Sequence, residues 1–306
     1  MKTKIHAVTY LASMLILPIQ TLHAELGPLG YRPTTESTAR FLQQVDSSRF
    51  IVFPAILRTG RWEKMDWQNE SQTYSTAARD NMVAFLNENG LGTAQAAEVE
   101  FDIMQATGKG QFAVFNNSIE AIGKQLADVE VDADYLLIVE VAGGGKEKLS
   151  AGGVHCYILD CNGTNVFSFL FNNHHPAFNE AGFQTWDTSI KGKEELIAKG
   201  VQLAMASLKF QVELEQALET YQPNPRYAGK YTGKEDPTAN YLQLYEDGTY
   251  EVKDDGHEME GSYAVVTKQN VLVLIDSERG NMPVGSFENG KLTIMMGEEL
   301  TRTPIK

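Results

Sequence analysis

The chain has 306 residues, 42% of them hydrophobic, two cysteines, and 40 Asp and Glu against 26 Lys and Arg, for a net charge of −14. Two cysteines are too few for a disulfide scaffold, the composition is too even for a disordered or collagen-like chain, and a mean hydropathy of −0.27 excludes a multi-span membrane protein. The length fits one large domain or two ordinary ones, at roughly 100–200 residues each.

Met1-Lys-Thr-Lys4 precedes a mostly apolar run from Ala7 to Leu22, with Leu22 and Ala24 where a signal peptidase reads. This predicts a secretory signal cut after Ala24 and a periplasmic or secreted mature protein. A membrane anchor fits less well, because Pro18 interrupts a run shorter than the roughly 20 residues that span a bilayer. No Cys follows the cleavage point, so no bacterial lipid anchor is expected, and no later run has transmembrane length. Losing Lys2 and Lys4 takes the net charge from −14 to −16. Such a chain is repelled by nucleic acid and by anionic lipid, so neither is expected as a partner.

Residues 25–48 read as a lead-in segment with one helical stretch around Thr38–Val45. An α/β domain is expected over 49–220. It begins with a buried strand, Arg49 to Pro54, followed by a polar loop from Arg58 to Glu70 holding Trp62 and Trp67. Ser71 or Thr73 can cap a helix running to Asn87, with Ala78, Met82, Phe85 and Leu86 on one face. A weak strand is expected around Glu98–Ile103. A helix over Phe112–Ala127 carries Phe112, Phe115, Ile119, Ile122 and Leu126 on one stripe, with Gly123 allowing close packing. Asp134–Val141 reads as a central strand leading into a Gly143-Gly-Gly145 loop.

Val154–Cys161 and Thr164–Phe171 flank Asn162-Gly163, the pair favoured in a two-residue type I′ turn. That register sets Ile158 opposite Phe167, Cys156 opposite Phe169 and Val154 opposite Phe171 on one face. The other face carries His155, Tyr157, Leu159, Val166, Ser168 and Leu170 and is polar enough to meet solvent or a partner. A long helix from Ile190 to Leu218 carries a stripe of Ile197, Val201, Ala204, Met205, Leu208 and Val212. Tyr221-Gln-Pro-Asn-Pro225 ends it and supplies a linker over 221–225.

From Arg226 to the end, short runs at Tyr241–Tyr245, Thr249–Val252, Gly261–Val266, Val271–Ile275, Val284–Phe287 and Leu292–Met295 alternate with turns such as Glu288-Asn-Gly290. They predict a small all-β barrel or sandwich. The fold class expected for the whole chain is α+β: a three-layer α/β domain with a mixed sheet, then this antiparallel β domain.

Ile122-Gly123-Lys-Gln-Leu126, Ala133-Asp134-Tyr135-Leu136-Leu137 and Leu159-Asp160 before a glycine turn add a resemblance. The region is similar to the α/β domain shared by the curli secretion channel subunit, the N-terminal domain of the Tol-system β-propeller protein, and outer-membrane activators of peptidoglycan synthases. The likeness covers about 170 residues of the chain. No segment reads as a membrane-inserting hairpin, so a channel role is not expected. Gly229-Lys-Tyr231, Asp247-Gly-Thr-Tyr250 and Gly261-Ser-Tyr263 resemble small lipocalin-like envelope domains. Both resemblances imply protein–protein interaction in the envelope rather than catalysis.

The search for chemistry agrees. Cys156 and Cys161 lie about 16 Å apart in one strand at about 3.3 Å per residue, too far to bond, and His155 points away from Cys156. His174-His175 with Glu180, and His257 beside Glu258 and Glu260, lack metal-site spacing and read as polar loops. Gly143-Gly-Gly145-Lys146 misses the phosphate-loop spacing, and Gly108-Lys-Gly110 reads as the lead into a helix. No catalytic, cofactor or metal residue is assigned. Trp62, Trp67, Tyr157 and Trp186 are the candidate interaction surface. Tyr231, Tyr241, Tyr245, Tyr250 and Tyr263 would line any cavity within the barrel. The expectation is a non-enzymatic envelope protein acting as an interaction or assembly module. The alternative is a periplasmic small-molecule or metal-binding protein using its β domain.

Overall fold

The computed structural model describes residues 36–61, 66–69, 73–97, 111–126, 132–144, 151–172, 190–233, 238, 240–254, 257–266, 270–276, 280–294 and 299–303. Within them the chain is α+β and divides between Val212 and Glu213. The first unit contains α1 (Glu36–Gln44), β1 (Arg49–Val52), β2 (Ile56–Arg61), β3 (Asp66–Asn69), α2 (Thr73–Glu88), β4 (Thr93–Ala96) and α3 (Gln111–Leu126). It continues with β5 (Tyr135–Gly144), β6 (Ala151–Asp160), β7 (Asn165–Asn172) and most of α4 (Ile190–Glu219).

β5 organises the mixed sheet. On one edge it pairs in parallel with β1, Phe50 facing Tyr135, and then with β2, Ile56 facing Glu140. Between them Phe53-Pro54-Ala55 spans only two residues of β5, so the chain bulges. Pro54 has no N–H to give the ladder, and the Ala55 N–H turns to the Ser75 carbonyl instead. The opposite edge of β5 takes β6 antiparallel along its full length, and β7 follows β6. Alternation along these strands makes two cores. Val139, Val141, Val154, Cys156 and Ile158 meet α1, α2 and α4, while Leu136, Ile138, Tyr157 and Leu159 meet Ile122 and Leu126 of α3.

Several expectations need correction. Within the expected loop, 58–61 and 66–69 are strand: β2 and β3 form an antiparallel pair, Arg58 facing Asn69, with β3 at the end of the sheet. Gly143 and Gly144 extend β5 and pair with Gly152 and Ala151. Helix α1, read as part of a lead-in, buries Phe41 and Leu42 in the main core, and Thr38 Oγ1 donates to the Val166 carbonyl at 2.6 Å. The strand expected at Glu98–Ile103 lies outside the described residues, and β4 pairs with β1 just before it.

The β6–β7 register follows the expected pairing from Val154 to Ile158, then slips: Leu159 faces Asn165 and Val166 bulges into the main core. The turn is correspondingly longer. Gly163 N–H bonds the Asp160 carbonyl, and Asp160 N–H bonds the Thr164 carbonyl, both at 2.9 Å, with positive φ at Gly163 alone. This is a type I turn with a glycine bulge rather than type I′. A Cβ on Gly163 would lie 3.1 Å from Gly123 Cα, so the two glycines bring α3 close to the hairpin tip.

The second unit holds β8 (Gly229–Thr232), β9 (Tyr241–Leu244), β10 (Thr249–Asp254), β11 (His257–Val266), β12 (Val271–Asp276), β13 (Gly280–Glu288), β14 (Lys291–Ile294) and β15 (Glu299–Thr303). Each pairs antiparallel with the next, and β15 pairs with β8, closing an eight-stranded barrel. Two strands exceed the six expected runs, and β15–β8 is the seam that decides barrel over sandwich. Val284 is an extra residue opposite β12, where Pro283 would otherwise interrupt the ladder.

Gly200 of α4 tests the layer spacing. A Cβ there would fall 2.5 Å from Val141 Cγ2 and 3.3 Å from Val154 Cγ2. In an open helix Gly→Ala stabilises by about 1 kcal/mol, but here overpacking should dominate. Gly200→Ala is expected to destabilise the domain by about 1–3 kcal/mol in denaturant unfolding, and Val141→Ala should relieve part of that cost.

Candidate functional site

The barrel interior is filled. Tyr231, Tyr250 and Tyr263 are each 1% exposed, packed among Leu242, Leu244, Leu272 and Leu292. Tyr231 Oη donates to the Tyr227 carbonyl at 2.6 Å and Tyr263 Oη to the Tyr245 carbonyl at 2.9 Å. Of the five tyrosines expected to line a cavity, these three point inward. Tyr241 and Tyr245 instead hydrogen-bond Glu251, and Lys230 Nζ sits 3.8 Å above the Tyr241 ring.

What the interior lacks, one mouth of the barrel supplies. A pocket of about 320 Å³ is lined by Arg226, Tyr227, Tyr231, Asn270, Phe287, Asn289, Gly290 and Arg302. Its wall is aromatic: Phe287 lies 4.7 Å from Tyr227 and 5.5 Å from Tyr231 between ring centroids. Its rim is cationic. Arg226 stands in a single 3₁₀ turn, Pro225–Tyr227, whose Asn224 side chain accepts from Arg226 N–H at 3.1 Å. The Arg226 guanidinium lies 4.4 Å over the Tyr227 ring and donates to Tyr227 Oη and, at 3.2 Å, to Asn270 Oδ1. Tyr227 Oη donates to the same Asn270 oxygen at 2.9 Å. Arg302 reaches the pocket from β15 and donates to the Ala228 carbonyl.

Local backbone makes this possible. Asn289 and Gly290 both have positive φ between the paired Glu288 and Lys291, a two-residue turn where Glu288-Asn-Gly290 was expected to turn, and Asn270 is also left-handed at φ 51°. A Cβ on Gly229 would lie 2.7 Å from Arg302 Nε, so the bare glycine leaves the channel in which Arg302 lies. Sequence reading found Tyr231 and the Asn289-Gly290 turn but neither arginine. They are far apart in the chain and meet only through the β15–β8 seam.

A second polar group lies inside the α/β domain. Glu140 and His155 are cross-strand partners, and Tyr157 follows two residues along the same face; all three are fully buried. Tyr157 Oη donates to Glu140 Oε2 at 2.6 Å, and His155 Nδ1 lies 3.1 Å from Tyr157 Oη and 3.4 Å from Glu140 Oε2. With the phenol donating to the carboxylate, the imidazole is best placed to donate from Nδ1 to the phenol oxygen. Tyr157 was expected on an interaction surface. Its face is covered by the α3 side of the domain, and its hydroxyl is turned to Glu140 Oε2 and His155.

Cys156 and Cys161 are both free, as expected; Cys156 is enclosed, burial pushing its thiol well up, and Cys161 is exposed at the hairpin tip. Trp67 falls on β3 opposite Gly60. Trp62, Trp186, His174, His175, Glu180, Lys146 and Gly108–Gly110 lie outside the described residues. His257 is exposed at the start of β11. Among the described residues there is no group of three or more His, Cys, Asp or Glu suited to a metal, and no helix is long and apolar enough to cross a membrane.

An α/β domain with a mixed sheet followed by a closed eight-stranded barrel is thus the class of architecture. No protein-family model matches the chain, and no curated protein matches its sequence. Similar solved structures include the PelC dodecamer from Paraburkholderia phytofirmans, 16% identical over 55% of this chain and 91% of that one, with a TM-score of 0.28. The LpoB C-terminal domain from Salmonella enterica is 16% identical over 44% of this chain and 91% of its own, with a TM-score of 0.22. TolB from Acinetobacter baumannii is 13% identical over 85% of this chain and 52% of its own, with a TM-score of 0.25.

Two outcomes follow from the buried groups. Tyr157→Phe removes the hydroxyl that holds Glu140 and should lower the stability of the domain by about 1–3 kcal/mol in urea unfolding. In the barrel, burial pushes the Tyr231 phenol up to about 12, the neighbouring Tyr227 adding to the rise and Arg302 opposing it, and burial likewise raises Tyr263. The unfolded chain ionises its tyrosines near 10. Stability attributable to these groups is therefore complete below about pH 10 and is lost as the pH rises towards 12. Melting temperature against pH should show this decline, and Tyr231→Phe should flatten it.

Proposed function

We propose that the chain is an exported cell-envelope protein without catalytic activity of its own, which works by binding. In this reading residues 1–24 are removed on export, the α/β domain docks onto another envelope protein, and the mouth of the barrel is a second binding surface. The observation that carries it is the contrast inside the barrel: a core filled by tyrosine and leucine side chains beneath an open pocket rimmed by polar groups. A filled core leaves no room for a ligand enclosed within the strands, whereas a shallow mouth receives an exposed group from outside. Trp62, Trp67 and Trp186 remain proposed contributors to the docking surface of the α/β domain; Tyr157, being enclosed, does not. The small-molecule reading uses the same pocket and differs only in the size of what enters it.

The test is site-directed photocrosslinking of the tagged, exported protein in cells, with the crosslinking residue at Asn289, at Trp67 or at His257. Turns of an antiparallel barrel alternate between its ends, so His257 marks the end opposite the Asn289-Gly290 turn. One dominant envelope partner at Asn289 or Trp67, with none at His257, is the expected outcome. Equal and diffuse labelling at all three positions would overturn the reading.

A further inference from the structure

We propose that the barrel mouth is an oxyanion-recognition site, taking a carboxylate or phosphate group carried on a small flat apolar body. This rests on the reading of the mouth as a binding surface and specifies the chemistry of what it binds.

The argument begins with charge. In a chain of net charge −14, several described basic side chains lie against carboxylates: Arg49 with Asp132 and Asp134, Lys124 with Glu120, Lys253 with Glu258, and Lys291 with Glu299. Arg226 and Arg302 differ. Their hydrogen bonds go to neutral oxygens, those of Tyr227, Asn270 and Ala228, and the described lining of the pocket contains no Asp or Glu. Neutral acceptors fix a guanidinium fork without cancelling its charge. Two such forks on one rim form a site for a planar or tetrahedral oxyanion, which a guanidinium grips through two parallel N–H donors.

The wall sets the rest of the ligand. Tyr227, Phe287 and Tyr231 present mutually tilted rings, with Arg226 over the first of them, a surface that favours a flat or apolar body over a hydrated ion alone. At about 320 Å³ the pocket is at the small end of the roughly 300–1,000 Å³ usual for organic ligands, so the body is about the size of one ring. Gly229 is the positioning residue. Its missing Cβ leaves the space occupied by Arg302 Nε, so a side chain there displaces the cation without removing it.

The experiment titrates the mature two-domain protein calorimetrically with benzoate, phenyl phosphate, inorganic phosphate and neutral benzamide. At least one aromatic anion should bind, with benzamide and inorganic phosphate each weaker by about tenfold or more, as expected from losing a charged hydrogen bond or the ring contact. Comparing benzoate with phenyl phosphate decides which oxyanion is preferred. Binding should weaken as salt is raised. Arg302→Gln and Gly229→Ala should each reduce affinity about tenfold, and Arg302→Lys, which keeps the charge and loses the fork, should not restore it. Because the neutral analogue and the salt series use the unaltered protein, the proposal stays testable if a variant fails to fold. Benzamide binding as tightly as benzoate, or anion binding unchanged in Arg302→Gln and Arg226→Gln together, overturns it. If no anion binds while crosslinking at Asn289 still captures a partner, the oxyanion chemistry is wrong and the mouth remains a docking surface. If both fail, the binding role of the mouth falls with it.

Discussion

From Leu136 to Val141, strand β5 is entirely enclosed: every side chain in that stretch has 0% exposure, including Glu140. The strand has partners along both edges and a packed layer over each face, so nothing in it can reach water. Most of its residues meet this constraint by being Leu, Ile or Val. Glu140 cannot, and a buried carboxylate is tolerable only when its oxygens are engaged. The antiparallel neighbour engages one of them, Oε2, by setting His155 directly opposite and Tyr157 one pleat further on. The polar cluster is thus a consequence of where β5 lies, and it braces β5 against β6 from within the domain. Removing one member leaves the others buried and under-satisfied, which is why such clusters stabilise only as a set.

The barrel meets a related constraint with different residues. A closed sheet of short strands has a narrow interior that a few large side chains fill, and tyrosine fills it at the cost of a hydroxyl that needs an acceptor. Tyr231 and Tyr263 send theirs to backbone carbonyls of Tyr227 and Tyr245, outside the strands. The first of these bonds ties the 3₁₀ turn that carries Arg226 to the core. The second anchors the start of the turn before Thr249. Packing in the interior therefore positions the rim, and the cationic mouth depends on the same tyrosines that pack the barrel core.

The legible parts of the sequence were those governed by local patterning. The stripe of α4 from Ile197 to Val212, the buried face of α2 with Ala78, Met82 and Leu86, and the β6–β7 pairing from Val154 to Ile158 all follow from periodicity. What failed required long-range information. His155, Tyr157 and Ser168 look half polar along their own hairpin, and only pairing with β5 brings Glu140 beside them; from one strand alone, a satisfied polar core resembles a solvent face. The Asn162-Gly163 turn misled because Asp160 offers an acceptor, its side chain taking N–H bonds from Asn162 and Thr164, and so favours the longer turn. Arg226 and Arg302 carry no local signature because a closing seam joins the first and last strands of a barrel, whose spacing no short window can see.

Net charge and local charge act over different distances, and the mouth is best understood through that difference. A chain with an excess of 14 negative charges slows the approach of anions from afar, but in physiological salt that field decays over about 8 Å. Within the pocket, contact geometry governs. There Arg226 stands over the Tyr227 ring and Arg302 shares the rim, and a charge–charge contact is worth more next to an aromatic wall than in open solvent. An anion that arrives is therefore recognised at short range by hydrogen-bond direction and ring contact, without electrostatic steering. Such a site discriminates by fit, since similarly charged solutes that lack the flat body meet the same repulsion and gain only part of the contact. In an acidic protein, a small cationic mouth is selective because the rest of the surface is not attractive.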